Sequence, residues 1–410
     1  MKEKNVKKNF IWNMIGVTLN SFNSMFFMVI ITRINGTENA GVFTLLFSIV
    51  NLLYNIGIYS GRTFQVTDNT KKFNNAEYVL HRGITVFVMF LIAAVYCTLK
   101  QFDIYRFLLT MLLTIMKAME AFCDVLYGIE QKNDELYKSG ISLTAKSLFS
   151  LISLIIIDLF FHNLIIAFVV VNILCFVITI IYDIPNTKCY LIEKASIKSA
   201  IRLFPAGFYA FAYFFLNVYL ANAPKYALAD MVSNSKQALF SIVLMPATLI
   251  NLFSIYLLQP YINRMGLLYS ENRFSEFKKT MKIILYVIIG IGIVAEIVAS
   301  TIAIPILNMV YSVNLSNYLF SLQLIVLGAT FVATVTVFST ALTTFRNTKD
   351  QFYIYIVISV VIYLLSGILV KLFDVQGAAY LYLLSTVLQF LLYYLDYKKH
   401  MKNWLNSIRK

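Results

Sequence analysis

Long apolar runs separated by short basic loops constrain this chain more than any other feature. Runs of helical length fall at residues 10–32, 40–60, 84–100, 104–129, 139–161, 163–183, 203–223, 236–259, 281–303, 319–344, 352–373 and 377–397. A helix rises about 1.5 Å per residue, so about 20 residues cross the roughly 30 Å hydrocarbon layer of a bilayer. The chain has 410 residues, 60% of them hydrophobic and 13% charged. Soluble domains carry about 25% charged residues, so water-soluble domains are excluded. Strands are excluded too, because open sheet edges cannot sit in lipid and the runs exceed the length of barrel strands. The expected fold class is all-α integral membrane, with about twelve transmembrane helices. Two boundaries are least marked: residues 161–163 between the fifth and sixth runs, and Pro205 inside the seventh.

Charge placement orients the runs. Of the 34 Lys and Arg, 26 fall at the N-terminus, in residues 61–83, 130–138, 184–202, 260–282 and 345–351, and from residue 398 onward. Six fall in the alternate loops, and Lys117 and Lys146 lie within helices. The positive-inside rule then predicts a multi-pass chain with both termini cytoplasmic. Basic loops facing an anionic leaflet account for the net charge of +14, so no nucleic-acid partner is expected. The first run follows Lys2, Lys4, Lys7 and Lys8 and contains Trp12, Asn13, Asn20 and Asn23. It is longer and more polar than a signal-peptide core and reads as a retained spanning helix. Cys97, Cys123, Cys175 and Cys189 match no metal spacing and read as small packing residues. His81, His162 and His400 are isolated in sequence. No metal centre and no cofactor are expected.

The fourth run carries the most informative residues. Lys117, Glu120 and Asp124 stand at i, i+3 and i+7, which places them on one helix face, extended by Thr110 and Thr114. Each charge at mid-bilayer costs about 2.5–3.5 kcal/mol even on insertion scales, so the face must turn to protein or to a hydrated cavity. Two readings follow: an ion-paired packing network, or a cavity wall handling a charged substrate or coupling ion. Other polar stripes are Asn13, Asn20 and Ser24; Ser48, Asn51 and Asn55; Ser142, Lys146 and Ser153; and the threonines from Thr330 to Thr344. Glu296 is the lone acid of the ninth run, and packing and ion coupling are equal readings of it. Cavity-facing Lys117 and Lys146 suit phosphate. Arg62, Lys225 and Lys236 fit either that role or ordinary interfacial charge. The chain has no GxxxxGK[ST] phosphate loop, no GxSxG and no HExxH, and no loop is large enough for a catalytic domain.

Five segments in order resemble the polysaccharide (O-antigen and capsule type) flippases, of the superfamily that includes multidrug and toxin extrusion transporters. They are Asn9-Phe10-Ile11-Trp12-Asn13 after the basic start, Asn39-Ala40-Gly41-Val42-Phe43, and Asp124-Val125-Leu126-Tyr127-Gly128-Ile129-Glu130-Gln131. The last two are Asn222-Ala223-Pro224-Lys225-Tyr226 and Gln376-Gly377-Ala378-Ala379. The chain departs from the pattern at Ala238, where glycine is usual before the aromatic. The resemblance implies two six-helix bundles around a central cavity, residues 1–183 and 203–410, joined by the basic linker 184–202. A weak likeness between residues 41–46 and 238–243 fits a parallel repeat, or chance among apolar segments. The resemblance further implies that the chain is not an enzyme but a flippase of the inner (plasma) membrane. It would carry an undecaprenyl-diphosphate-linked oligosaccharide for O-antigen, lipopolysaccharide or capsule synthesis, among membrane lipids and other polysaccharide-assembly proteins. On this reading Lys117, Lys146, Arg62, Lys225, Asn13, Asn20 and Asn51 face the substrate, and Glu120, Asp124 and Glu296 balance charge or couple an ion. The alternatives are an ion-coupled multidrug extrusion antiporter and a membrane-embedded glycan-assembly enzyme.

Overall fold

The computed structural model describes residues 3–59, 61–67, 73–229, 231–345 and 347–409. The principal helices are α1 (Glu3–Ile58), α2 (Gly61–Thr67), α3 (Asn75–Leu99), α4 (Ile104–Lys132), α5 (Leu136–Phe161), α6 (Leu164–Ile178) and α7 (Ile184–Lys188). They continue as α8 (Ile197–Leu228), α9 (Asn234–Ser270), α10 (Phe274–Val298), α11 (Ile304–Tyr311), α12 (Leu319–Thr344) and α13 (Thr348–Arg409). No strand occurs among the described residues.

Nine helices among the described residues are long and apolar enough to cross a bilayer. Two of these are double-length hairpins. α1 breaks at Gly36, whose φ of 78° and ψ of 174° lie outside the helical region and suit glycine. Phe27 and Phe43 stand 16 residues apart yet bring their rings to 6.5 Å, so the arms on either side of Gly36 fold back on each other. A continuous helix would separate them by about 24 Å. α13 breaks likewise at Asp374, φ 53°. α4 has the length but carries Lys117, Glu120 and Asp124, more charge than an apolar span tolerates. Two doubled hairpins and α4 bring the nine to twelve crossings, in line with the apolar runs. The chain is a multi-pass membrane protein.

Several boundaries differ from the sequence reading for local reasons. The third helix starts at Asn75 rather than 84, because Asn74 and Glu77 form a reciprocal capping box. That moves His81 and Arg82 from a loop into a buried helix face. The join at 161–163 is a two-residue turn: His162 ends α5 in the left-handed region, and Asn163 caps α6 by accepting from the Ile165 and Ile166 amides. α8 runs through Pro205, where one backbone bond is lost. There His81 Nδ1 meets the Ala200 carbonyl at 3.0 Å, and the Tyr59 hydroxyl donates to the Phe204 carbonyl at 2.9 Å. Helix occupies Ile184–Lys188 and resumes at Ile197, leaving residues 189–196 as the connection.

The chain divides into two compact units, Met1–Phe215 and Leu216–Lys410. In the first, the arms of α1 pack with α3, α4, α5 and α6, and Phe27, Phe43 and Phe168 form an aromatic centre. α1 and α5 cross at Gly16 and Gly140. A Cβ on Gly140 would stand 2.3 Å from the Trp12 carbonyl, so only glycine lets the backbones approach this closely. Near the same crossing the Asn9 side chain accepts from the Tyr137 amide at 2.8 Å, capping α5 from another helix. In the second unit α12 packs with α9, α10 and α13.

Candidate functional site

Inside the first unit lies a cavity of about 270 Å³. Its wall is polar by residue type: Asn20, Ser21, Asn23 and Ser24 from the first arm of α1, Asn51 from the second, and Ser147 and Ser150 from α5. The charged groups are Lys117 and Glu120 of α4 and Lys146 of α5. Apolar closure comes from Phe27, Phe47, Met116, Met119 and Leu143, and Cys123 and Cys175 also reach the wall.

Every cation on this wall is matched. Lys117 Nζ donates to Glu120 Oε2 at 2.7 Å and lies over the rings of Tyr54 (5.1 Å) and Phe47 (5.3 Å). Asn20 Nδ2 donates to the other Glu120 oxygen at 3.3 Å. Lys146 Nζ donates to Asp183 Oδ2 at 2.5 Å, and also reaches Cys123 Sγ at 2.9 Å and the Tyr127 hydroxyl at 3.4 Å. Asp183 is held inward by the π-helical turn Thr179–Asp183 at the end of α6. A π turn admits one extra residue and so rotates the following side chain. The side chains of Lys146 and Asp183 are 14% and 1% exposed, so theirs is a desolvated pair, whereas Lys117 at 13% and Glu120 at 25% are partly so.

The charged face of α4 is divided. Asp124 accepts from Arg82 Nη2 at 3.1 Å, while Arg82 Nη1 donates to the Gly57 carbonyl at 3.0 Å. Asp124 borders a second cavity of about 220 Å³ with Asn55, Gly61, Arg62 and Phe211, whereas Lys117 and Glu120 border the first. Arg82 therefore joins the site from a segment that reads as a loop. The counter-charge of Lys146 is Asp183, not Glu120 or Asp124, because α4 presents those two carboxylates to Lys117 and Arg82.

The other candidates disperse. Asn13 sits near the α1–α5 crossing with its Oδ1 buried and unbonded among the described residues. Asn51 reaches the cavity, and its carbonyl accepts from Asn55. Lys225 and Glu296 belong to the second unit. The Lys225 carbonyl accepts from Gln237 at 3.0 Å. Glu296 buries one carboxylate oxygen with no hydrogen-bond partner among the described residues. Lys236 pairs with Asp374 at the break in α13.

Several buried groups escaped the spacing argument. Asp158 is fully buried and accepts from Asn35 at 3.1 Å, and Glu130 accepts from Ser139 at 2.6 Å. A single acid inside an apolar run is the signal that would have flagged Asp158. Cys123 proves more than a packing residue, since Lys146 donates to its sulfur. The histidines are isolated in sequence, but His400 meets Asp350 and Asp396 in space, all three ligand atoms lying within 4.8 Å of one another. The hairpin of α13 brings residues 350 and 400 together, a proximity that the sequence spacing of the histidines does not show.

No family model matches the chain. Over 403 residues it is 22% identical to the capsular polysaccharide biosynthesis protein CapF of Staphylococcus aureus, covering 96% of this chain and 99% of that protein. Its fold is similar to that of a multidrug resistance MATE family transporter of the MOP superfamily in an inward-facing conformation. The TM-score is 0.71 at 10% identity, covering 95% of this chain and 99% of that one. It is also similar to the MATE transporter VcmN of Vibrio cholerae, D35N mutant, with a TM-score of 0.67 at 13% identity and 98% of each chain covered. The likeness to MATE transporters read from the five sequence segments thus recurs at the level of the fold, which is the MATE-like one, and the sequence is similar over nearly its whole length to a protein of capsular polysaccharide biosynthesis.

Proposed function

We propose that this chain is a transporter that flips an undecaprenyl-diphosphate-linked oligosaccharide across the bacterial inner membrane for cell-surface polysaccharide synthesis. The observation that carries the reading is the wall of the first-unit cavity. Amides and hydroxyls from α1 and α5 outnumber its charges, and each lysine is answered by a carboxylate. Sugar hydroxyls need donors and acceptors in close array, which this wall offers. An organic cation would need surplus negative charge there. The 22% identity to a capsular polysaccharide biosynthesis protein over nearly the whole of both chains supports a part in surface polysaccharide synthesis.

In this reading residues 1–183 and 203–410 form two six-helix bundles joined by 184–202, with both termini cytoplasmic. Alternating access opens the substrate path to one side of the membrane at a time. Lys117 and Lys146 exchange their carboxylate partners for the substrate diphosphate as it passes, and Arg62 and Lys225 add positive charge along its path. Asn13, Asn20 and Asn51 serve the glycan. Glu120, Asp124 and Glu296 hold the balancing charge or a coupling ion. The lipid tail stays in the bilayer throughout.

The test is deletion of the gene in its host and complementation. Loss of surface polysaccharide with build-up of the lipid-linked intermediate is expected, and the wild-type chain restores export. Lys117→Ala should reach the membrane in normal amount and fail to export. Normal export by that variant overturns the role of Lys117. Unchanged surface polysaccharide in the deletion strain, with lost efflux of ethidium, overturns the cargo and favours the multidrug antiporter.

A further inference from the structure

We propose that Asp350, Asp396, His400 and Asn347 form a binding site for a divalent transition-metal cation. The four residues come from the turn that opens α13 and from the far end of its second arm. They are brought together because the break at Asp374 folds α13 back on itself.

The geometry around Asn347 is that of a coordination centre filled by an amide. Its Nδ2 lies 2.9 Å from Asp350 Oδ2, 3.3 Å from Asp396 Oδ2 and 3.0 Å from His400 Nε2. Three acceptors converge on one NH₂ group, which has two protons to give. Asn347 therefore cannot give a proton to all three while His400 is neutral. The tautomer of His400 is set from its other side: Nδ1 faces the Asp396 carbonyl at 3.0 Å and Asp396 Oδ1 at 3.2 Å, both acceptors. A proton on Nδ1 leaves Nε2 as a bare lone pair aimed at the convergence point. That backbone-anchored arrangement orients imidazole for metal binding. Phe345 stacks at 14° on the ring and fixes its plane.

Turning the Asn347 amide about its last torsion brings Oδ1 in place of Nδ2. The set then becomes two carboxylate oxygens, one imidazole nitrogen and one amide oxygen. Two negative charges match a divalent ion. Imidazole selects a transition metal over Mg²⁺ or Ca²⁺, and four N and O ligands suit Zn²⁺ or Mn²⁺. The side chain of Asp396 is 10% exposed and that of Asp350 40%, which leaves one side open for entry. A bound ion ties the start of α13 to its last turns, holding the hairpin closed at the end opposite Asp374.

The test uses the untagged full-length protein in detergent, stripped with EDTA and titrated with ZnCl₂, MnCl₂ or MgCl₂ by calorimetry, with elemental analysis of the eluted protein. We expect one equivalent of Zn²⁺ or Mn²⁺ and none of Mg²⁺. His400→Gln should weaken binding at least 100-fold. Asn347→Asp should tighten it at least 10-fold, since it replaces the amide with a third carboxylate. An imidazolium simply paired with the two aspartates gives no stoichiometric metal binding, and that result overturns the proposal. So does metal binding unchanged by His400→Gln, or weakened by Asn347→Asp. Where His400→Gln fails to fold, Asn347→Asp and the wild-type titration decide alone.

Discussion

Removing the carboxylate of Asp183 tests whether the cavity is built on matched charge. In the variant Asp183→Ala, the Lys146 ammonium loses a partner at 2.5 Å and keeps only uncharged ones, Cys123 and Tyr127. At an effective dielectric of about 20 the lost attraction is roughly 6–7 kcal/mol. Water in the adjoining cavity rehydrates part of the ammonium, so the net loss falls near the roughly 3–5 kcal/mol typical of breaking a buried pair. For a unit the size of Met1–Phe215 that corresponds to a drop on the order of 10 °C in unfolding temperature. Thermal unfolding in detergent at a fixed scan rate, followed by intrinsic fluorescence, measures it. The double variant Lys146→Met, Asp183→Leu removes both charges and should recover most of the loss, because the desolvation cost disappears along with the attraction. A single variant as stable as wild type, or a double variant no better than Asp183→Ala, refutes the reasoning.

Three further outcomes follow from particular contacts. Gly140→Ala should lower the unfolding temperature, with a cost of about 1–3 kcal/mol for forcing α1 and α5 apart, because its Cβ meets the Trp12 backbone at 2.3 Å. The control Gly83→Ala meets nothing within 4 Å and should stabilise α3 by up to about 1 kcal/mol in the same assay. Arg82→Lys should destabilise nearly as much as Arg82→Met, since one ammonium cannot reproduce the fork that bonds Gly57 and Asp124 together; equal stability of Arg82→Lys and wild type contradicts this. Asn9→Ala should cost about 1 kcal/mol as the cap on α5 is lost, whereas Asn9→Asp keeps an acceptor for the Tyr137 amide and should retain most of it, both read by thermal unfolding.

The spanning helices were legible because lipid leaves the backbone few choices: every buried N–H must bond within its own helix, and twenty apolar residues in a row have one outcome. What hydropathy misreads is where a helix extends beyond its apolar stretch. Asn74 and Glu77 start α3 well before the apolar run, and the cap chemistry that does this is visible only when Asn-x-x-Glu is read as a box. Pro205 misleads in the opposite direction. The helix continues through it, and the same stretch is held from outside by His81 at the Ala200 carbonyl and by Tyr59 at the Phe204 carbonyl, contacts that no local pattern shows.

The charged residues divide along the same line. Periodicity placed Lys117, Glu120 and Asp124 on one face, and i, i+3 spacing alone makes the Lys117–Glu120 pair. The partners of Asp124 and Lys146 lie 42 and 37 residues away, beyond any local pattern. Their identity changes what the face can do. Had Lys146 stood unpaired, the cavity would attract any anion and hold it. With Asp183 against it, any entering anion must displace a buried carboxylate, so binding gains only the difference between two ion pairs. Under the proposed function that small difference favours release of the cargo on the far side of the membrane, because a translocator that binds too well does not turn over. The same matching stabilises the cavity wall in the absence of any ligand: with Lys117 against Glu120 and Lys146 against Asp183, none of these four charges is left without a partner.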